Sequence, residues 1–317
     1  MLAALREEFA AIPGIHVSEN VPLSGLTRFG IGGPARLLVD AGSEEALATA
    51  IAILRETGIP HALIGGGTNL VASDDGFPGA VLRFTANRID VQGAMVMAQA
   101  GVSLQEVVDL TIQFGLRGLE TMAGIPGWVG GAVYGNAGAY GHSVEERIAW
   151  VRVFDGVNFR DISNLECKFQ YRESVFKTRK DWIVVAAGLR LEHADATELR
   201  ATADRILDIR NQKYPPDMRC AGSIFKNLML RDLPATLRPG IPESVVREGK
   251  VPSAYFLEQV GAKGMANDSI RVADYHANLI YNSGSGTARS VREMIETLRL
   301  RVQQNYGLVL EEEVQYL

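Results

Sequence analysis

Residues 123–141 read AGIPGWVGGAVYGNAGAYG, and this stretch guides the interpretation of the whole chain. Seven of its residues are glycine, and those between them are mainly apolar or aromatic. A flexible linker would carry polar residues such as serine between its glycines. Glycine permits positive φ and lets a backbone approach a ligand without a Cβ in the way. The stretch therefore predicts a packed backbone surface that faces a ligand.

A second glycine loop lies earlier in the chain. Gly65, Gly66 and Gly67 follow the short apolar run 61–64 and are followed by Thr68 and Asn69. Successive backbone N–H groups in such loops form concavities that bind phosphate oxygens. The two polar side chains add further hydrogen-bonding groups. Together the two loops predict a phosphate-bearing cofactor.

The common nucleotide-binding motifs do not account for these loops. Residues 30–35, GIGGPA, fit the pattern G-x-G-x-x-A, but that fingerprint requires a preceding strand and a following helix. Here the predicted strand Arg36–Asp40 comes directly after Pro34. The sequence contains no G-x-x-x-x-G-K-[ST] motif. We therefore predict a frame other than the Rossmann fold or the P-loop.

Composition excludes several classes of protein. The 317 residues include 33 glycines but only 2 cysteines and 5 histidines, which argues against a disulfide scaffold or a cysteine-rich metal module. The net charge of -5 argues against a nucleic-acid partner. The longest apolar run, 182–191, is too short to span a membrane, and charges at 6–8 are atypical of a signal peptide. We expect a cytoplasmic protein without a metal site.

Several element boundaries can be predicted from local signals. Ser43 precedes a helix that ends at Gly58, and the capping boxes Ser103/Glu106 and Ser290/Glu293 predict two more helix starts. Another helix is predicted from about 198 to 213, and strands at 95–99, 150–155, 182–191 and 312–317. The prolines in 213–223, KYPPDMRCAGS, predict a boundary between domains.

Eight segments of the chain resemble one known family, the UDP-N-acetylenolpyruvylglucosamine reductases, in the family's order. They are TRFGIGGPA (27–35), LIGGGTNLVASDDGFPGAVLR (63–83), AGIPGWVGGAVYGNAGAYG (123–141), YRESVFK (171–177), AGSIFKN (221–227), LEQVGAKG (257–264), DYHANLIYN (274–282) and LEEEV (310–314). The segments 123–141 and 221–227 are the most specific of these.

The resemblance implies an α+β fold. It would consist of a two-subdomain FAD-binding portion of the PCMH type and a separate α+β substrate-binding domain. We expect the boundaries 1–80 and 81–213 for the two FAD-binding subdomains and 214–317 for the substrate-binding domain. The short distance between Lys177 and Ala221 leaves no room for a substrate-loop insertion, so the chain is similar to the shorter subtype.

The resemblance also implies non-covalent FAD as cofactor and NADPH as co-substrate. Many oxidases with the same frame attach flavin to a histidine in the first glycine loop, and residues 65–74 contain none. The implied cofactor-binding residues are Ile64, Gly65, Gly66, Gly67, Thr68, Asn69, Gly124, Ile125, Pro126, Gly130, Gly131, Ala132, Asn136, Gly138 and Ala139.

The family reaction reduces the enolpyruvyl ether of a UDP-sugar in peptidoglycan precursor synthesis. It needs a stabiliser for the enolate that develops on the carboxylate and an acid for the adjacent carbon. By resemblance these roles fall to Arg172, whose guanidinium can hold both carboxylate oxygens, and to Ser223. Glu313 completes the implied catalytic set. Tyr171, Lys226 and Asn227 are the implied substrate-binding residues, and no obligate protein partner is indicated.

Less specific interpretations stay open at these positions. Outside its motif, Arg172 would be read as a surface ion pair with Glu173, and Ser223 as a turn or cap residue. Alternation places Glu311 on the same face as Glu313, so the choice between them is one of register. His276 is read as structural. A non-catalytic nucleotide-sugar binding protein is the alternative function, and it predicts loss of the arginine, serine or glutamate; all three are present.

Overall fold

The computed structural model describes residues 2–317 and divides them into two compact units. The first unit contains the residues up to Val21, Ala35–Gly67 and Phe77–Gln212. The second contains Pro22–Pro34, Thr68–Gly76 and Lys213–Leu317. The second unit thus takes two short segments from the N-terminal part of the chain.

Within residues 2–317, α-helices are separated by runs of several strands, as expected for an α+β protein. The α-helices are α1 (Leu2–Ala10), α2 (Glu44–Thr57), α3 (Leu104–Gln113), α4 (Val129–Tyr134), α5 (Val175–Thr178), α6 (Ala196–Lys213), α7 (Ser253–Gln259) and α8 (Ala288–Tyr306). The strands are β1 (Ile15–Pro22), β2 (Pro34–Ala41), β3 (His61–Leu63), β4 (Leu70–Val71), β5 (Phe77–Phe84), β6 (Ile89–Gln92), β7 (Met95–Gln99), β8 (Leu116–Arg117), β9 (Gly138–Ala139), β10 (His142–Ser143), β11 (Ile148–Phe154), β12 (Phe159–Ser163), β13 (Ile183–Arg190), β14 (Glu192–His193), β15 (Arg219–Ser223), β16 (Leu228–Met229), β17 (Lys250–Val251), β18 (Ala266–Asn267), β19 (Ile270–Ala273), β20 (His276–Asn282) and β21 (Gln315–Tyr316).

The first unit contains two main sheets. One has the order β1-β2-β5-β3, in which β5 pairs in parallel with both β2 and β3. The other has the order β12-β11-β13-β7-β6 and is antiparallel. Its central strand β13 is buried along almost its whole length, which explains the apolar run in the sequence. The large side chains Phe9, Leu47, Leu54, Leu82 and Phe176 are buried in the core of this unit.

The helix boundaries of the first unit follow their capping residues. The Ser43 side chain accepts a hydrogen bond of 3.1 Å from the backbone N–H of Ala46, and Gly58 ends α2 in the left-handed conformation. Ser103 and Glu106 form a capping box at the start of α3. Both predicted starts are confirmed. No helix follows Gly32, because β2 begins at Pro34, which confirms that residues 30–35 are not a Rossmann fingerprint.

The second unit is built on the antiparallel sheet β15-β20-β19-β18. Helices α7 and α8 supply many of its buried apolar residues. The predicted start of α8 at Ser290 was wrong. Thr287 is the N-cap and accepts a hydrogen bond of 3.1 Å from the N–H of Ser290, so the helix begins one turn earlier. The predicted end at Gly307 is confirmed.

The C-terminal segment of the second unit is extended but forms little regular strand. A strand was predicted over 312–317, and only β21, Gln315–Tyr316, is one. It pairs in parallel with β4, which directly follows the first glycine loop in sequence. The N–H of Ser73 donates to the carbonyl of Leu317 at 2.7 Å, and the N–H of Leu317 donates to the carbonyl of Val71 at 3.1 Å. These bonds hold the end of the segment against residues 70–73.

Candidate active site

Two of the glycine loops singled out in the sequence lie next to each other in the first unit. A Cβ on Gly66 would lie 3.3 Å from the Cα of Gly127 and 3.2 Å from Cδ1 of Trp128. The guanidinium of Arg83 lies over the Trp128 ring, 5.8 Å from its centre. Of the predicted FAD-binding residues, all but Thr68 and Asn69 belong to this unit. A side chain at residue 66 would therefore crowd the second loop, which favours glycine at this position.

The glycines of 124–141 have different physical roles. A Cβ on Gly130 would lie 2.9 Å from that of Ala100, and one on Gly138 would lie 2.9 Å from the Cα of Ser143. These two glycines allow segments of the protein to pack closely. A Cβ on Gly131, or on Gly65 in the other loop, would meet open space. The backbone at residues 65 and 131 is therefore accessible to a ligand.

The Tyr171–Arg172 pair occupies a tight turn. Gln170 and Glu173 exchange two backbone hydrogen bonds of 3.0 Å, which leaves Tyr171 and Arg172 as the central residues. Arg172 has a φ of +58°, in the left-handed region that favours glycine. Such conformations cost about 1–3 kcal/mol in non-glycine residues and cluster at functional sites. An arginine in this position is consistent with selection for its side chain.

The Arg172 turn is connected to the second glycine stretch. Arg172 Nη2 donates a hydrogen bond of 2.8 Å to the carbonyl of Gly138. Asn136, itself at a φ of +45°, donates from Nδ2 to the carbonyl of Gln170 at 2.8 Å and to Glu145 Oε2 at 2.6 Å. The structure thus brings together the predicted catalytic arginine and two residues predicted to bind FAD, and it does so within one unit.

Ser223 stands at the end of β15 in the second unit, immediately after an irregularity in the sheet. The pairing of β15 with β20 shifts register between Cys220 and Ser223, and Gly222 has a φ of +77°. A bulge of this kind changes the direction in which the next side chain projects. The Ser223 hydroxyl lies 3.2 Å from the hydroxyl of Tyr214. Tyr214 was not among the predicted site residues, because no local motif marks it in the linker.

Glu313 lies close to the Ser223 segment in the same unit. Its N–H donates a 2.7 Å hydrogen bond to the carbonyl of Ile224, the residue after Ser223. Its own carbonyl accepts a 2.9 Å hydrogen bond from Asn69 Nδ2. The backbone of Glu313 is therefore held from both sides, between the serine motif and a residue predicted to bind FAD.

The other two acids of the run 311–313 have structural partners. Glu311 forms an ion pair with Lys226. Glu312 accepts a hydrogen bond from Tyr316 and lies 3.4 Å from the guanidinium of Arg299. Each of the three glutamates therefore has different partners. Alternation along a strand predicted only that Glu311 and Glu313 share a face, and it did not predict these differences.

Lys226 and Asn227 follow Ser223 in a largely buried segment. The Lys226 residue is only 7% exposed. Its carbonyl accepts a hydrogen bond from the hydroxyl of the buried residue Ser253, and Asn227 Oδ1 accepts a 3.4 Å hydrogen bond from the Ser253 N–H. Ser253 is a second residue that the sequence did not single out.

One buried polar group near the glycine loops can accept a hydrogen bond from a ligand. Asn69 Oδ1 is buried and has no hydrogen-bond partner among residues 2–317, so it can accept from a ligand. Over the same residues, no group of three or more His, Cys, Asp and Glu side chains could hold a metal. Cys167 and Cys220 are both buried, and burial raises the pKa of the Cys167 thiol to about 12, which makes it a poor nucleophile at neutral pH.

No helix in the described part of the chain, residues 2–317, has both the length and the apolar character needed to cross a bilayer.

Comparison with protein families gives two separate matches. A model described as an FAD-binding domain matches residues 35–157. A model described as the C-terminal domain of UDP-N-acetylenolpyruvoylglucosamine reductase matches residues 214–317. The two models cover the parts of the chain that contain the glycine loops and the Ser223 segment.

Comparison with individual proteins extends the similarity over nearly the whole chain. A UDP-N-acetylenolpyruvoylglucosamine reductase from Solibacter usitatus is 54% identical over 308 residues, covering 97% of this chain and 99% of that protein. One from Pseudothermotoga lettingae is 34% identical over 93% of this chain and 95% of its own length. The crystal structure of the Thermus caldophilus reductase superposes with a TM-score of 0.75 at 28% identity, covering 95% of this chain and 99% of that one. The predicted fold, an FAD-binding portion followed by a separate α+β domain, is confirmed.

Proposed function

The chain belongs to the UDP-N-acetylenolpyruvoylglucosamine reductase family, and we propose that it reduces the enolpyruvyl ether of UDP-N-acetylglucosamine-enolpyruvate to UDP-N-acetylmuramate. One observation carries this proposal: the similarity to a reductase covers 97% of the chain and so includes both the FAD-binding domain and the C-terminal domain. The chain is accordingly an FAD-binding oxidoreductase, as predicted.

The proposed cofactor-binding residues are the fifteen inferred from the sequence. Support comes from the accessible backbone at Gly65 and Gly131 and from the buried, unpartnered Oδ1 of Asn69. When bound there, FAD would supply the redox chemistry that links NADPH oxidation to reduction of the enolpyruvyl group. We propose that the FAD is not covalently attached, because residues 65–74 include no histidine.

Arg172 is the proposed stabiliser of the substrate carboxylate. Its guanidinium stays charged at all relevant pH values and can donate two parallel hydrogen bonds to the two carboxylate oxygens. Negative charge grows on these oxygens as the terminal carbon is reduced. A donor aimed at such developing charge typically contributes about 2.7–4 kcal/mol of transition-state stabilisation. The strained φ of Arg172 supports this role, since a glycine would satisfy the turn without strain.

Ser223 is the proposed proton donor to the carbon beside the carboxylate. A hydroxyl is a weak acid, but an enolate carbon is a strong base, so the transfer is feasible. The bulge at Gly222 and the adjoining hydroxyl of Tyr214 support a role for this side chain beyond capping a turn. Glu313, whose backbone is tied to Ile224, is proposed to orient or stabilise the reacting groups.

Tyr171, Lys226 and Asn227 are the proposed contacts to the UDP-sugar. Lys226 is buried and paired with Glu311, so its ammonium group is held in a fixed position and can serve as a point charge for a diphosphate. NADPH as co-substrate, a cytoplasmic location and the division into 1–80, 81–213 and 214–317 belong to the same proposal.

The activity assay follows the oxidation of NADPH by the FAD-loaded protein. We expect oxidation that depends on the enolpyruvyl sugar nucleotide, with a product two hydrogen atoms heavier than the substrate by mass spectrometry. NADH in place of NADPH tests the coenzyme preference. NADPH oxidation that yields only hydrogen peroxide would instead indicate an oxidase, and a protein that binds UDP-sugars without taking up FAD would indicate a binding protein.

A further inference from the structure

Asn278 on β20 holds the backbone immediately after Ser223. The residue is only 2% exposed. Its Oδ1 accepts a 2.9 Å hydrogen bond from the N–H of Phe225, and its Nδ2 donates a 2.8 Å hydrogen bond to the carbonyl of the same residue. Its backbone carbonyl accepts a further hydrogen bond, of 3.1 Å, from the N–H of Ile224. One residue therefore satisfies three backbone groups of the segment that follows the serine.

The remaining backbone groups of residues 224–226 have partners from two other elements. The carbonyl of Ile224 accepts from Glu313 N–H at 2.7 Å, and the N–H of Lys226 donates to the carbonyl of Glu311 at 2.9 Å. The carbonyl of Lys226 accepts from the hydroxyl of Ser253, a fully buried residue. All six N–H and C=O groups of these three residues are thus hydrogen-bonded.

These hydrogen bonds take the place of regular strand pairing beyond the end of β15. Regular strand β15 ends at Ser223, so the buried residues after it have no complete ladder of backbone partners. Buried backbone groups without partners are strongly destabilising. A side-chain carboxamide carries both N–H donors and an oxygen acceptor and so can pair with a backbone N–H and C=O as a neighbouring strand would, whereas an apolar side chain of similar size cannot.

We propose that Asn278, assisted by Ser253, is a positioning residue for the reductase reaction. By fixing Ile224, Phe225 and Lys226, it sets the direction of the hydroxyl of Ser223 and of the ammonium group of Lys226. This inference rests on the proposed function, because the reaction is what requires an accurately aimed hydroxyl. A displacement of about 1 Å at a reacting group can reduce a rate on the order of 10²-fold.

The test uses Asn278→Asp in the full-length, FAD-loaded protein. The substitution keeps the volume and the acceptor but removes the donor, so the carbonyl of Phe225 faces an oxygen instead of an N–H. In stopped-flow experiments we expect flavin reduction by NADPH at the wild-type rate. Reoxidation by the enolpyruvyl substrate should slow on the order of 10²-fold.

Asn282→Asp is the matched control. Asn282 is also buried on β20, with Oδ1 accepting from the N–H groups of Gly284 and Gly286 and Nδ2 donating to the carbonyl of Phe29 at 3.1 Å. None of these partners lies in residues 223–227. We expect a similar loss of thermal stability in both variants but a reoxidation rate within about twofold of wild type in the control.

Equal reoxidation rates in the two variants would overturn the inference and leave Asn278 a structural residue. A wild-type enzyme that the substrate fails to reoxidise would instead contradict the proposed function, so the two failures are distinguishable. If Asn278→Asp does not fold, Ser253→Ala removes a single hydrogen bond to the same segment. We expect reoxidation about tenfold slower in that variant, and an unchanged rate would also contradict the inference.

Discussion

The Arg172 turn combines a strained backbone with the side chain proposed to stabilise the substrate carboxylate. Its φ of +58° would suit glycine, and its guanidinium donates a hydrogen bond to the carbonyl of Gly138. Because stability favours glycine at this position and the proposed role in catalysis requires arginine, the two properties can be separated by substitution. Comparing a glycine variant with an alanine variant therefore tests the backbone strain and the proposed catalytic role separately, which an alanine variant alone would not do.

We expect Arg172→Gly to be more stable than Arg172→Ala by about 1 kcal/mol. Alanine keeps the left-handed strain, whereas glycine relieves it. Both variants should lose flavin reoxidation by about 10²–10³-fold while flavin reduction by NADPH is retained. Urea unfolding of the two proteins measures the difference in stability. Equal stabilities, or an equal loss in both half-reactions, would argue against a strained catalytic arginine.

The substitution Ser223→Ala tests the proposed proton donor. Removing the hydroxyl should slow flavin reoxidation by about 10²–10⁴-fold and leave reduction by NADPH unaffected. Ser283→Ala is a suitable control, since its exposed hydroxyl donates only to the carbonyl of Ser269 among the contacts given by the structure. Sustained turnover of Ser223→Ala would remove this residue from the proton-donor role.

At the scale of elements, the bulge in β15 immediately precedes Ser223, and we expect it to contribute to the direction of this side chain. Gly222 has a φ of +77° and its Cβ position is open, so alanine would fit sterically but would strain the backbone. We expect Gly222→Ala to lower the free energy of unfolding by about 1–2 kcal/mol and to slow reoxidation as the bulge relaxes.

Gly261→Ala provides the control for this prediction. Gly261 has a φ of +70° and equally open surroundings in the same unit. The two variants should therefore lose similar stability, measured by urea unfolding, but only Gly222→Ala should affect reoxidation. A normal reoxidation rate in Gly222→Ala would show that the bulge does not aim the serine.

His276 at the start of β20 gives the second unit a dependence on pH. Burial lowers the pKa of His276 to about 4, with a further contribution from Lys213 and Lys263. The unfolded imidazole, with a pKa near 6.5, binds a proton in the window between these values while the folded one does not. The free energy of unfolding should therefore fall as the pH decreases from 6.5 towards 4.

The decrease in the free energy of unfolding should be at most about 1.4 kcal/mol per pH unit, and it should be smaller in His276→Gln. Urea titrations of both proteins at pH 7, 6 and 5 measure it. Identical pH dependences would show that the histidine is not buried in its neutral form. The sequence predicted a structural role for this residue, and that role stays a prediction; its buried Nδ1 has no hydrogen-bond partner among residues 2–317.

Elements with strong local signals could be predicted from the sequence, and irregular ones could not. Ser43 and Gly58 bound α2 as expected, because a cap acts on its own turn. The start of α8 was misplaced because Thr287 and Ser290 are both good caps, and only the tertiary fold selects between them. The bulge at Gly222 depends on pairing with β20, a strand far away in sequence, which no local pattern reveals.

The residues of the candidate site were likewise predictable only where a local sequence motif marks them. The motif residues Arg172, Ser223 and Glu313 were identified from their neighbours in sequence. Asn278 and Ser253 were not, because their contacts to the segment after Ser223 span 26 residues or more of sequence. Long-range support of this kind becomes visible only when the fold is known.

At the scale of the whole molecule, one chain combines an FAD-binding domain with the C-terminal domain of the reductase family. The glycine loops and Arg172 belong to the first unit, and Ser223 and Glu313 belong to the second. The second unit also includes Asn69, whose amide holds the carbonyl of Glu313. The proposed catalytic residues are therefore distributed over both units.

Stopped-flow measurement of flavin reoxidation tests the central claim most directly. The FAD-loaded protein is reduced anaerobically with one equivalent of NADPH and mixed with UDP-N-acetylglucosamine-enolpyruvate or with UDP-N-acetylglucosamine, which lacks the enolpyruvyl group. We predict rapid return of the oxidised flavin absorbance with the first compound, formation of UDP-N-acetylmuramate, and no return with the second. Flavin that stays reduced with both compounds would contradict the account.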